Sequence, residues 1–242
     1  MKHLDRFRKI TEDDYRWLLR VPTGTVRCVI DTDARNEIDD QFALVWALLS
    51  QDQLKIEGIY AAPYSYRNRL SELRMAHKIR LGAKTARAKD LTFLQRYTHQ
   101  LDRLDAQGTD IFDDRQVDPQ GMTMVTPDEG MEKSYQEILT ICDKMGVDFA
   151  DKVFRGANRY LESYDTPVQS EAVEHLIDTA KSASTDQPLY IVAIGAPTNI
   201  ASALLLAPEI LPNIVVTWTA GYPSTVTGIL QESFTMEQDM FS

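Results

Sequence analysis

Cysteine is nearly absent from this chain of 242 residues: only Cys28 and Cys142 occur. Each lies in an apolar pattern, so a disulfide framework is excluded and reduced core thiols are expected. Nowhere do 18 consecutive apolar residues appear, and no transmembrane helix is expected. The opening segment, MKHLDRFRKITEDDYRWLLR, is amphipathic and holds no apolar run of the signal-peptide kind, which points to a cytoplasmic protein. Basic residues are in deficit, with Lys+Arg at 26 against Asp+Glu at 36 and a net charge of −10. That balance argues against nucleic acid or an anionic membrane as partner and favours a neutral or cationic small molecule. No internal repeat or low-complexity segment is visible. What remains is ordinary for a globular protein, 43% hydrophobic and 26% charged, long enough for one large α/β domain with a substantial core.

Acid is abundant, and it is concentrated. Residues 30–40 read Ile-Asp-Thr-Asp-Ala-Arg-Asn-Glu-Ile-Asp-Asp, so Asp31, Asp33, Glu37, Asp39 and Asp40 follow an apolar run containing Val26, Val29 and Ile30. The amphipathic segment Phe42 to Leu49 comes next. This order describes a buried strand, a short loop and a helix, with the carboxylates gathered at the loop. Carboxylates so placed repel one another unless a cation sits among them, so a metal site is expected.

Strand and helix signals alternate through most of the chain. The pattern predicts strands at Val26–Asp33, Ile56–Ala62, Lys152–Arg155, Leu189–Gly195 and Ile214–Ala220. It predicts helices at Asp39–Ser50, Met131–Met145, Ser170–Ser182 and Asn199–Leu206. Near-continuous apolar strands separated by helices imply an α/β fold with a mainly parallel sheet covered on both faces. Ligands in such sheets bind at the carboxyl ends of the strands, where Asp31, Asp33 and the Gly195–Asn199 turn fall. The stretch from about Arg67 to Met124 breaks the alternation, with weak helical periodicity around Leu70–Leu81 and Phe93–Leu104. It reads as a helical insertion or lid.

Three simple accounts compete for the acidic loop. Helix capping would use Asp39 and Asp40 but leave Asp31 and Asp33 unexplained. An EF-hand loop fails because the twelfth position counted from Asp31 is Phe42, where a bidentate Glu is needed. A haloacid dehalogenase-type phosphatase also places Asp-x-Asp-x-Thr after a first strand, but Arg35 stands where that Thr belongs.

The loop resembles that of the nucleoside hydrolase family, in which a strand ends in Asp-Thr-Asp-Pro-Gly-x-Asp-Asp and runs into an apolar helix. Here Asp31-Thr32-Asp33 and Asp39-Asp40 match, while Ala34–Ile38 replaces Pro-Gly-x and lengthens the loop by two residues. A branch with an Asp-Thr-Asp-x-x-Asn-Glu-x-Asp-Asp loop is closer. Ala61-Ala62-Pro63-Tyr64, Glu129–Tyr135, Val153–Gly156, Thr166–Ala172 and Ile194–Ala201 resemble further segments of that branch, in the same order.

The resemblance implies a Rossmann-like core and calcium-dependent hydrolysis of the N-glycosidic bond of ribonucleosides to ribose and free base. It implies Asp33 as metal ligand and general base, and Asp40 as bidentate calcium ligand. Asp39 corresponds to a ribose-binding acid and Asp31 to a further acid of the metal shell. Thr198 corresponds to a residue whose backbone carbonyl binds calcium. Thr235 stands where the family has an Asn that contacts the ribose 5′-hydroxyl, within Ser233–Asp239. Asn36 and Glu37 are candidates to line the enlarged loop, Asn36 toward substrate, or else form a solvated turn. Tyr64 and Tyr66 could stack on a nucleobase or simply be exposed loop residues. A homo-oligomer is implied as well.

The family continues into a C-terminal segment with a late His-Asp pair, and this sequence has no His-Asp dipeptide among its histidines, His3, His77, His99 and His175. His175 lies within a helical pattern, where a packed or surface side chain is expected. Two alternatives therefore stand beside the hydrolase: a truncated or inactive relative that binds a riboside or protein partner, and, more distantly, the phosphatase.

Overall fold

The computed structural model describes residues 4–7, 9–65, 67–83, 88–113, 125–220, 238, 239, 241 and 242. Five strands form one parallel sheet: β1 (Val26–Thr32), β2 (Leu54–Ala61), β3 (Val153–Arg155), β4 (Leu189–Ala193) and β5 (Ile214–Trp218), in the order β3-β2-β1-β4-β5. The helices α1 (Glu12–Leu18), α2 (Ile38–Leu49), α3 (Arg67–Arg80), α4 (Ala88–Ala106), α5 (Pro127–Met145), α6 (Glu171–Lys181) and α7 (Thr198–Leu206) complete the described elements beyond short 3-10 helices. The α/β class with a parallel sheet is the expected one.

The two faces of the sheet follow from alternation along β1. Cys28 and Ile30 pack with Leu44 and Leu48 of α2 and with Ile138 and Ile141 of α5. Val29 points the other way, into a layer built by Val173 and Leu176 of α6 and by Ile200 and Ala203 of α7. Burial on both faces explains why the strands read as continuous apolar runs. The β1–β2 register shifts between Cys28 and Val29, where Cys28 pairs with Ile56 and Val29 with Gly58. The extra residue, Glu57, lets Ile56 and Ile59 face the same layer, and Gly58 leaves room for the His175 ring.

The element ends differ from the expected ones for local reasons. β1 ends at Thr32 because the Asp33 carbonyl accepts the Asn36 N–H at 2.7 Å, starting a turn. α5 starts at Pro127 rather than Met131: proline suits a first helical turn, and Asp128 and Glu129 there complement the helix dipole. Tyr64 is a correction to the exposed-loop reading. Its ring is buried, and its backbone lies so close to α5 that a Cβ on Gly130 would sit 2.1 Å from the Tyr64 carbonyl oxygen. Tyr66 lies outside the described residues.

The chain divides into two compact units, residues 1–64 with 127–242, and residues 65–126. In the second unit α3 and α4 pack through Leu70, Leu73 and Ala76 against Tyr97, Leu101 and Leu104. Arg80 pairs with Asp102 and Asp105, and Glu72 accepts from Arg96 at 2.9 Å and from the Tyr97 hydroxyl at 2.7 Å. The weak apolar periodicity of this stretch is thus enough for a two-helix pair whose outer faces are charged.

Candidate active site

β1 and the turn that follows it bring Asp31, Thr32 and Asp33 to the carboxyl edge of the sheet, and all three are buried. Flanking backbone holds this end in place: the Ile194 N–H donates to the Asp31 carbonyl and the Ala62 N–H to the Thr32 carbonyl, each at 2.8 Å. Asp40 returns to the same place from the first turn of α2, because the loop is braced by Gln41 Nε2 donating to the Ala34 carbonyl at 3.2 Å. Asp40 is buried as well, and its Oδ2 accepts from the Thr32 hydroxyl at 2.6 Å.

Asp31 is held from the opposite side of the sheet edge. Asn199 Nδ2 donates to Asp31 Oδ1 at 2.7 Å, while Asn199 Oδ1 accepts the Ala157 N–H at 2.7 Å. This approach requires glycine at 156, since a Cβ there would lie 2.0 Å from the Ala61 carbonyl oxygen and 2.5 Å from Asn199 Nδ2. Asp33 Oδ2 accepts from Asn36 Nδ2 at 2.8 Å, and Asn36 Nδ2 also reaches Glu37 Oε1 at 3.3 Å. Asp31 Oδ2 and Asp33 Oδ1 are buried and have no well-formed hydrogen bond.

The electrostatics are unusual for acids. Burial pushes Asp31 up to about 7, against the pull of the Asn199 amide, and the neighbouring Asp33 charge adds to the rise. Burial and then the Asp33 charge push Asp40 up to about 8, although the Thr32 hydrogen bond works in the other direction. Asp33 is also raised by burial, opposed by Asn36, by Asp40 and by the amide of Gln238. Without a cation, burial makes all three carboxyls harder to ionise than ordinary acids. That is the signature of a site waiting for positive charge or for a proton to be moved.

The remaining expected residues fall as follows. Asp39 is exposed on the first turn of α2, beside Asp40 in sequence but on the outer side of the helix. Thr198 opens α7 and is buried, with its hydroxyl donating to Asp239 Oδ2 at 2.7 Å. Asn36 has its side-chain amide directed at Asp33. Thr235 lies outside the described residues. His175 is packed, stacked on Phe154 with centroids 4.0 Å apart and its Nδ1 2.8 Å from the Tyr60 hydroxyl.

Asp239 is a residue whose part sequence reasoning missed. It is buried, its Oδ2 accepts the Leu161 N–H at 3.1 Å as well as the Thr198 hydroxyl, and its Oδ1 accepts the Phe241 N–H at 3.1 Å. Next to it, Gln238 Oε1 accepts from the Tyr160 hydroxyl at 2.6 Å. The available signal was its place at the end of the Ser233–Asp239 segment.

The donor set suits a hard cation. It is all oxygen, two carboxylate oxygens have no well-formed hydrogen bond, and Asp31, Asp33 and Asp40 repel one another when charged. Among the described residues, no three acidic, histidine or cysteine side chains already converge as a finished cage. A cation here would therefore draw further ligands from backbone carbonyls, water or substrate.

No protein-family model matches the sequence, and no curated protein matches it. Solved structures do. The purine-preferring ribonucleoside hydrolase from Gardnerella vaginalis is similar with a TM-score of 0.50 and 18% identity, over 88% of this chain and 55% of that one. An inosine-uridine preferring nucleoside hydrolase from Bacillus anthracis matches with a TM-score of 0.37 and 17% identity, over 84% and 53%. The chain thus spans just over half the length of these structures. It has a nucleoside hydrolase-like fold, α/β with an all-parallel five-stranded sheet.

Proposed function

We propose that this chain carries the acidic centre of a calcium-dependent N-ribohydrolase, which cleaves ribonucleosides to ribose and free base. The observation that supports this most is the burial of Asp31, Asp33 and Asp40 at one sheet edge, with two carboxylate oxygens left without partners. Asp33 and Asp40 would hold the ion, with Asp31 behind them and the Thr198 carbonyl as a further donor. When bound, calcium supplies a fixed positive anchor for water and for sugar hydroxyls.

The rest is the work of the chain's own residues. The Asn36 amide holds Asp33 by Oδ2, leaving Oδ1 as the atom that takes a proton from an attacking water. Thr32 fixes Asp40 through the hydroxyl that donates to its Oδ2. Asn199 fixes Asp31, so the negative charge of the cluster stays under the anomeric carbon as that carbon becomes cationic. In this reading Asp39 would accept from a sugar hydroxyl, although it stands on the outer side of α2 from Asp40. A small neutral riboside suits the net charge of −10 better than a phosphorylated one.

A second reading is riboside binding without turnover, favoured by the lack of a finished three-ligand cage among the described residues. Chromatography of free base after incubation with a ribonucleoside separates the two. The hydrolase reading requires base release in calcium, loss of release in EDTA, and loss in Asp33→Asn. Saturable binding with no base released would support the second reading and overturn the first.

A further inference from the structure

The amino edge of the sheet, at the other end of β1 from the acidic centre, holds a cavity of about 250 Å³. It lies between the connection from α1 to β1 and the turn that precedes β4, and local signals build both walls. α1 stops at Leu18: the Leu19 N–H closes its last turn on the Tyr15 carbonyl at 3.0 Å, and Pro22 cannot continue it. Gly24, with φ of 75°, then turns the chain into β1. In the other wall the Ser184 N–H donates to the Gln187 carbonyl at 3.3 Å and the Gln187 N–H to the Ser184 carbonyl at 3.1 Å. Arg20 ties the two walls together, its Nη2 donating to the Asp186 carbonyl at 3.1 Å.

The Arg20 guanidinium is held but not neutralised. Its carbon lies 3.5 Å from the centre of the Trp17 ring, so one face is taken by the indole and one in-plane donor by the Asp186 carbonyl. Among the described residues no carboxylate pairs with it, in a chain of net charge −10. A second guanidinium, Arg27, also lines the cavity. Its Nε donates to Glu57 at 2.8 Å and its Nη2 to the Ser182 hydroxyl at 3.1 Å, while Glu57 also takes Lys55 at 2.9 Å. One carboxylate thus serves two cations. Asp186 is the one acid among the described residues lining the cavity, so positive charge is in excess there. A planar fork with in-plane donors to spare matches a carboxylate or a phosphate group. Stacked on Trp17 and tied to Asp186, the fork gives up little freedom on binding. We infer that this cavity binds the carboxylate or phosphate group of a small molecule, with Arg20 as its principal anchor. From Arg27 to Asp31 is about 13 Å along β1, so the site is separate from the acidic centre.

The test is calorimetric titration of the full chain with sodium phosphate and, separately, with sodium benzoate. Both are run in EDTA, at an ionic strength fixed with chloride so that screening is constant. Saturable one-to-one binding of at least one probe is expected, and which of them binds tells a phosphate site from a carboxylate site. In NMR spectra the bound probe should move the Trp17 indole N–H and the backbone amides of Thr25 and Arg27, and leave those of Asp33 and Asp40 in place. Arg20→Gln, at an exposed position, should melt as the wild type does and bind roughly 10- to 100-fold more weakly, the loss of one or two hydrogen bonds to a charged group. Arg20→Lys keeps the charge without the fork and should fall between the two. No saturable binding of either probe up to about 10 mM, binding that Arg20→Gln leaves unchanged, or shifts centred on Asp33 and Asp40 would each overturn the assignment.

Discussion

Replacing Asp31 by Asn should stabilise the metal-free protein at alkaline pH, although Asp31 is the more deeply buried end of the proposed metal site. The reason is linkage. Burial raises the folded-state value of Asp31 from 3.8 to about 7. A raised acid binds its proton more tightly folded than unfolded, so its contribution is full below the unfolded value and is lost as pH climbs through the folded one. Between pH 3.8 and 7 that loss amounts to about 4 kcal/mol for a fully buried group, at 1.36 kcal/mol per unit. Asn keeps the hydrogen bond from Asn199 Nδ2 and carries no charge to desolvate. Urea denaturation in EDTA should therefore give similar stability for wild type and Asp31→Asn near pH 4. A gap favouring the variant should open to several kcal/mol by pH 8. Calcium should close the gap by stabilising only the wild type. A gap that stays flat with pH, or a variant less stable than wild type at pH 8 in EDTA, would refute the argument that burial dominates this carboxyl.

Thr32→Val removes the hydroxyl that donates to Asp40 at 2.6 Å, leaving a buried oxygen unpaired and the acid still harder to ionise; it should cost about 1–3 kcal/mol and lower calcium affinity at pH 7 in calorimetry, where an unchanged affinity would count against the role given to Thr32. Gly156→Ala puts a methyl against the Ala61 carbonyl and the Asn199 amide, so thermal melting should show a loss of about 3 kcal/mol or no folded protein, and a stability within 0.5 kcal/mol of wild type, roughly the scatter of surface substitutions, would mean that the close approach is not needed.

Much of the fold was legible because burial on two faces writes itself as apolar runs, and the five expected strands are the five found among the described residues. The ends were less legible, since they are set by single hydrogen bonds such as Asn36 N–H to the Asp33 carbonyl. The acidic centre was visible because Asp31, Asp33 and Asp40 are close in sequence. Asp239 was not given a part, because its partners Thr198 and Leu161 lie 41 and 78 residues away, and only the fold brings them together. Tyr64 misled for a related reason: a tyrosine after a strand looks like a loop residue until Gly130 lets α5 close over it. α2 was read only as amphipathic, although Phe42, Trp46 and Leu49 on its outer side are exposed, since a sequence does not say which of two apolar sides faces the core.

The most direct test of the central claim is hydrolysis of p-nitrophenyl β-D-ribofuranoside by the purified chain, first in calcium and then in EDTA. The account predicts release of p-nitrophenol in calcium, none in EDTA, recovery when calcium is restored, and none from Asp33→Ala under any of these conditions. Release that is indifferent to EDTA and to Asp33, or no release from a folded protein with calcium bound, would contradict it.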